Sequence, residues 1–73
     1  MSFSYLKLWK LAIDRNMNKT ELRDYIGITN STLARLSKNQ PVSMEVIGRI
    51  CEKLDCDINE IVEYVKEDEE LYV

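Results

Sequence analysis

Residues 18–43 read NKTELRDYIGITNSTLARLSKNQPVS, and the caps and breakers in this run decide the fold. Asn18 is an N-cap residue with Glu21 three positions on, which is the capping-box pattern. Leu22, Tyr25 and Ile26 give the helix after this cap one apolar side, and Gly27 ends it as a C′ glycine. Ile28 is a connector. Thr29 caps a third helix running to about Lys38, with Leu33 and Leu36 turned inward. Asn30, Ser31, Thr32, Arg35 and Lys38 are left pointing outward. Asn39-Gln40-Pro41 breaks the run, and Ser43 caps the next helix.

Two short helices joined only by Gly27-Ile28-Thr29 must cross steeply, which is the geometry of a helix-turn-helix. The second helix then protrudes, and its first turn can enter a DNA major groove. Asn30 and Ser31 are short hydrogen-bonding side chains able to reach base edges. Arg35, about one turn further on, can bridge guanine O6 and N7. Lys19 at the start of the preceding helix, and Lys38 and Asn39 at the far end of the third, are placed to hold phosphates.

Outside this run the spacing is also helical. In residues 5–15, Leu8, Leu11 and Ala12 follow one face, while Tyr5, Trp9 and Ile13 form a second stripe. That second stripe reads either as core or as a surface for a second copy. Asn16 is suited to the left-handed conformation that ends the first helix. Val46, Ile47, Ile50, Cys51 and Leu54 make the stripe of a fourth helix. Asp57 and Glu60 form another capping pattern, after which Ile58, Ile61, Val62 and Val65 are expected to face inward from a fifth helix. No strand is expected inside the domain. Phe3 and Leu71-Tyr72-Val73 are short apolar ends that could be extended.

The chain of 73 residues allows one domain, residues 1–73, with a core of about residues 5–65 and an acidic tail at 66–73. A domain this small buries only about 60% of its unfolded surface. With no His and 2 Cys, a conventional zinc site and a Ser/His or Cys/His catalytic pair are not expected. No Gly-rich phosphate loop is present either, so neither an enzyme nor a cofactor is expected. The hydrophobic fraction of 45% and charged fraction of 32% fit a globular protein. The lack of a bilayer-length apolar run or a signal-peptide pattern leads to an expectation of cytoplasmic location, no membrane partner and reduced cysteines. Cys51 reads as a small buried hydrophobe.

The net charge of −3 hides an asymmetry. Residues 1–40 carry seven basic and three acidic side chains, a net +4; residues 41–73 carry three basic and ten acidic, a net −7. Such a polar molecule can present one face to phosphates. The Glu67–Glu70 run reads as a solvated tail, with a DNA-repelling or partner-binding role as the alternative. Leu71 and Tyr72 could pack back on the Tyr5, Trp9 and Ile13 stripe, on the same subunit or on a partner's.

The run NKTELRDYIGITNSTLARLSKNQPVSMEVIGRICEKLDCDINEIV resembles the XRE family, the Cro and phage-repressor type of helix-turn-helix domain, over roughly residues 5–65. A Leu-Gly-Val-Ser turn usually stands in that family where Ile26-Gly27-Ile28-Thr29 stand here. An IAEALG segment matches Ile50-Cys51-Glu52-Lys53-Leu54-Asp55. The resemblance implies an all-α, compact five-helix lambda-repressor-like domain of prokaryotic or phage kind. It implies a homodimeric repressor whose third helix reads a short pseudo-palindromic operator in double-stranded DNA. Carried over by position, base reading falls on Asn30, Ser31 and Arg35, and phosphate contact on Lys19, Thr29, Thr32, Lys38 and Asn39. The dimer contact is open between the stripe of Tyr5, Trp9 and Ile13, the fifth helix, and the C-terminal tail with Leu71 and Tyr72. Two positions depart from the family pattern. Arg23 stands where a small residue, often Ala, is common, so its side chain must snorkel out of the crossing. Asn16 stands where Gly is frequent. At this length no small-molecule ligand domain is expected. The rival reading is a protein-interaction or antitoxin-like module built on the same scaffold.

Overall fold

Four left-handed backbone positions punctuate the chain in the computed structural model, which describes residues 2–66: Asn16 (φ 59°), Gly27 (φ 84°), Asn39 (φ 57°) and Asp55 (φ 52°). Each falls where a helix has just ended. The helices between them are α1 (Leu6–Asp14), α2 (Lys19–Ile26), α3 (Asn30–Ser37) and α4 (Met44–Leu54). The start signals act as their chemistry dictates. Asn18 Oδ1 accepts from the Glu21 amide at 2.8 Å, and Glu21 Oε1 accepts from the Asn18 amide at 2.9 Å, which completes the capping box of α2. Thr29 Oγ1 accepts from the Thr32 amide and Ser43 Oγ from the Val46 amide, each at 3.1 Å. α1 begins at Tyr5 without a side-chain cap.

The expected fifth helix is not there. Asp57 and Glu60 do form a capping box, but it heads one 3₁₀ turn, Ile58–Glu60. The chain then extends into β2 (Glu63–Val65), which pairs antiparallel with β1 (Ser2–Ser4). The register sets Phe3 opposite Tyr64, and their rings meet edge to face with centroids 5.3 Å apart. The expectation of an all-α, five-helix domain is therefore corrected to four helices and a small two-stranded sheet. The physical reason is the run Ile61-Val62-Glu63-Tyr64-Val65: β-branched and aromatic side chains favour an extended backbone once a partner strand is at hand.

The core is Tyr5, Leu8, Ala12, Leu22, Ile26, Leu36, Ile47, Ile50, Leu54 and Ile61, with no buried charged or polar side chain among the described residues. Every helix contributes, and Ile61 closes the base from the C-terminal segment. Trp9, Leu11, Val46, Cys51 and Val62 pack against the core while partly exposed. Long basic side chains tie the ends of helices. Arg15 donates to the Leu54 carbonyl at 2.6 Å, closing the end of α4, and Lys7 donates to the Asn59 carbonyl at 3.1 Å.

Of the stripe expected as core or as dimer surface, Tyr5 lies in this chain's own core. It is 2% exposed, its amide donates to Asn39 Oδ1 at 3.1 Å, and its hydroxyl donates to the Gln40 carbonyl at 2.9 Å. It pins the loop after α3 to the start of α1. Burial pushes its hydroxyl pKa above the ordinary 10.0, with the Val42 backbone pulling slightly the other way. Ile13, at the other end of the stripe, is 70% exposed, and Trp9 is intermediate. The expectations for Leu71 and Tyr72 lie outside the described residues.

Candidate nucleic-acid interface

α3 carries a single fully buried residue, Leu36, so most of its surface is available for other contacts. Its sequence, NSTLARLS, contains no acid. Asn30, Ser31 and Arg35 are exposed, and Thr32 is half-buried. Ser31 and Arg35 lie one turn apart on one face, with Asn30 about 100° round from Ser31 at the helix start. Thr32 and Arg35 also border an open groove whose other wall is Pro41, Val42, Ser43 and Val46, at the start of α4.

The joint holding α3 is built from both sides. Gly27 in the left-handed region donates its amide to the Arg23 carbonyl at 2.8 Å, closing α2, and Thr29 opens α3 two residues later. A residue without a Cβ adopts that φ at no steric cost. From α4, Arg49 Nη1 donates to the Gly27 carbonyl at 3.1 Å, which fixes the turn from outside the two helices. Thr29, expected at a phosphate, is occupied within the joint. Its hydroxyl oxygen caps α3, and its proton goes to Thr32 Oγ1 at 3.1 Å.

The cations gather at the two ends of α3. Lys19 Nζ sits 4.3 Å over the Trp9 ring and donates to Ser37 Oγ at 3.2 Å, so the start of α2 lies beside the last turn of α3. Lys38, the next residue after Ser37, is exposed. Asn39 lies beside it, with its Oδ1 held by the Tyr5 amide. At the other end, Arg23 reaches from α2 to α3. Its Nε and Nη2 hold Asp24 Oδ1 at 2.9 and 2.8 Å, and its Nη1 donates to Asn30 Oδ1. The side chain is 26% exposed, so it does snorkel along the crossing as its length allows. Both acids of α2 have local partners: Glu21 closes the capping box and Asp24 holds Arg23. Lys19, Arg23, Arg35 and Lys38 against Glu21 and Asp24 leave residues 19–38 with a net charge of +2.

The structure therefore brings Lys19 and Lys38 together at one end of α3 and puts Asn30 at the other, with Ser31 and Arg35 between. Arg23 and Arg49 were not among the expected site residues. Arg23 stands out in the sequence as a cation where a small residue is usual, but that marks only its snorkelling and not its bond to Asn30; nothing in the spacing marks Arg49. Away from this face, Cys51 and Cys56 are unbridged and half-buried, and burial, Cys51 and Glu60 together push the Cys56 thiol pKa upward. Such a thiol is a poor nucleophile. Among the described residues no group of three His, Cys, Asp or Glu side chains could hold a metal ion, and no helix is long and apolar enough to cross a membrane.

The family model described as the Cro/C1-type HTH DNA-binding domain matches residues 7–67. The crystal structure of the transcriptional regulator VanUg, Form II, is similar at a TM-score of 0.86 and 52% sequence identity, covering 90% of this chain and 88% of that one. No curated protein sequence matches.

Proposed function

The chain belongs to the Cro/C1-type helix-turn-helix DNA-binding domains, and from that premise we propose that it is a transcriptional regulator, a homodimeric repressor that reads a short pseudo-palindromic operator with α3. The observation that carries the reading is the acid-free, exposed face of α3 bearing Asn30, Ser31 and Arg35, flanked by Lys19 and Lys38. Arg35 reads guanine, Asn30 and Ser31 reach base edges in the first turn, and Lys19, Thr32, Lys38 and Asn39 hold phosphates. Neither this family nor the similar regulator is an enzyme.

Dimerisation is argued from energetics. One module contacting a few phosphates and bases binds weakly at physiological salt. Two copies about one helical turn apart supply the missing affinity and read a two-fold site. Ile13 and the rim of Trp9 are one candidate contact. The exposed group Phe3, Met44, Ile58 and Tyr64, on the ribbon and the segments beside it, is another, 40–70% exposed. The same apolar group is what a protein-interaction or antitoxin-like role would use. Repression then works by occlusion, since a bound dimer covers the DNA that polymerase needs.

Selection of sites from a random duplex library near physiological salt, with the native protein and Arg35→Ala, tests this reading. The native protein is expected to enrich a pseudo-palindrome, and the variant to relax one position in each half, losing about 1–3 kcal/mol of discrimination there. Absence of any enriched site, with binding weak at low salt as well, would overturn it in favour of a protein partner.

A further inference from the structure

Arg23 spans the joint and touches the first residue of the reading helix, seven positions on. Its guanidinium is held on one edge by Asp24, through Nε at 2.9 Å and Nη2 at 2.8 Å, and this leaves Nη1 aimed at Asn30 Oδ1. The grip is fixed by a neighbouring residue of α2, while the side chain it orients belongs to α3. Arg23 is half-buried in the crossing and Asn30 is exposed.

We infer that Arg23 is a specificity-determining positioning residue, which turns Asn30 into a hydrogen-bond donor toward DNA and so selects guanine over adenine at the base pair beneath it. The inference rests on the DNA-reading role of α3 proposed above. An unconstrained Asn amide is suited to adenine: Oδ1 accepts from N6 while Nδ2 donates to N7. A guanidinium carries donors only, so Oδ1 must face Arg23, and Nδ2 is turned the other way. The oxygen that adenine N6 needs is then engaged. The Nδ2 donors so presented match both acceptors of guanine, O6 and N7, whereas adenine offers an acceptor only at N7 and sets its N6 donor against them. Arg23 acts through Asn30 and needs no base contact of its own.

The test measures binding of the native protein, Arg23→Ala, Arg23→Lys, Asn30→Ala and the Arg23→Ala/Asn30→Ala double variant to duplexes permuted at each position of the selected site. The native protein is expected to prefer guanine to adenine at one pair in each half-site. Arg23→Ala is expected to shift that ratio toward adenine by about five- to tenfold at that pair alone. The position read by Arg35 is expected to stay unchanged, and in the Asn30→Ala background Arg23→Ala is expected to leave the ratio where it is. Arg23→Lys keeps the charge and the helix but loses the planar fork, and a smaller shift in the same direction is expected. Uniform weakening on every duplex with all ratios unchanged would overturn the inference and leave Arg23 a phosphate contact or a structural strut. A readout free of DNA adds to this: the Asn30 side-chain amide resonances should move in Arg23→Lys. If they do not, the contact is absent and the inference falls. A native protein with no base preference anywhere would remove the DNA-reading role itself, whereas preferences that ignore Arg23 remove only the inference.

Discussion

Asn18-Lys-Thr-Glu21 and Asp57-Ile-Asn-Glu60 are the same device, yet the first opens a helix of eight residues and the second a single 3₁₀ turn. In both, the glutamate reaches back to the amide of the capping residue, at 2.9 and 2.8 Å. The difference lies in the residues downstream of each box. After Glu21 come Leu22-Arg23-Asp24-Tyr25-Ile26, an apolar pattern at helical spacing that sets Leu22 and Ile26 in the core. After Glu60 come Ile61-Val62-Glu63-Tyr64-Val65, where three β-branched residues lose side-chain freedom in a helix and a partner strand is waiting in Ser2–Ser4. A cap fixes where a helix can begin. How far it runs is decided by the residues beyond it and by contacts distant in sequence.

The largest expected effect separates the two regions by burial. Leu36→Ala removes the one fully buried anchor of α3 and should cost about 3 kcal/mol, a large part of what a domain of this size has, read as a fall in the urea midpoint. Ile58→Ala, at a residue 44% exposed in the 3₁₀ turn, should cost less than about 1 kcal/mol. Equal losses would break the contrast.

Next comes the joint itself. Gly27→Ala meets no steric obstacle, since nothing lies within 4 Å of the added Cβ, so its cost is conformational alone: about 1–2 kcal/mol for a φ of +84°. Chemical denaturation should show this loss, and an unchanged midpoint would mean that the turn can relax. Asn18→Ala should cost about 1 kcal/mol and lower the helical circular dichroism as α2 frays. Asp57→Ala should leave that helical signal intact, because no α-helix grows from its box.

Tyr5 links the end of α3 to the first residues of α1. Losing its hydroxyl bond to Gln40 in Tyr5→Phe should cost about 1 kcal/mol at neutral pH. Because burial raises the folded-state pKa of this tyrosine above 10.0, its neutral form is favoured in the native state; the stabilisation is whole below pH 10 and is lost as pH rises beyond it. Thermal melts between pH 9 and 11 should show that alkaline loss in the native protein and less of it in Tyr5→Phe. The smallest change is at Lys19→Met: about 0.5 kcal/mol from the Trp9 contact, together with a shallower dependence of DNA binding on salt, by about one unit of slope.

The same contrast explains how much could be read from the sequence. Asn16, Asn18, Gly27, Thr29 and Ser43 were legible because a cap or a left-handed residue acts within a few positions of itself, and each does in the structure what its chemistry requires. The outward placement of Asn30, Ser31 and Arg35 came from the same local marks. The β-ribbon was not legible. Ile58, Ile61, Val62 and Val65 fit a helical spacing as well as a short buried strand, and Ser2-Phe3-Ser4 is too short to announce a partner. Nor were the bonds of Arg23 to Asn30, Arg49 to Gly27 and Lys19 to Ser37, since long cationic side chains bridge elements without any periodic signature.

In the proposed function, DNA is engaged at the α2–α3 joint and not on the ribbon. Titration of the ¹⁵N-labelled protein with its selected duplex, followed by amide chemical shifts, tests it most directly. The shifts are expected to concentrate between Lys19 and Asn39, largest at Asn30, Ser31 and Arg35, while Phe3 and Tyr64 stay still. Shifts centred on Phe3, Met44, Ile58 and Tyr64, with α3 unmoved, would contradict it.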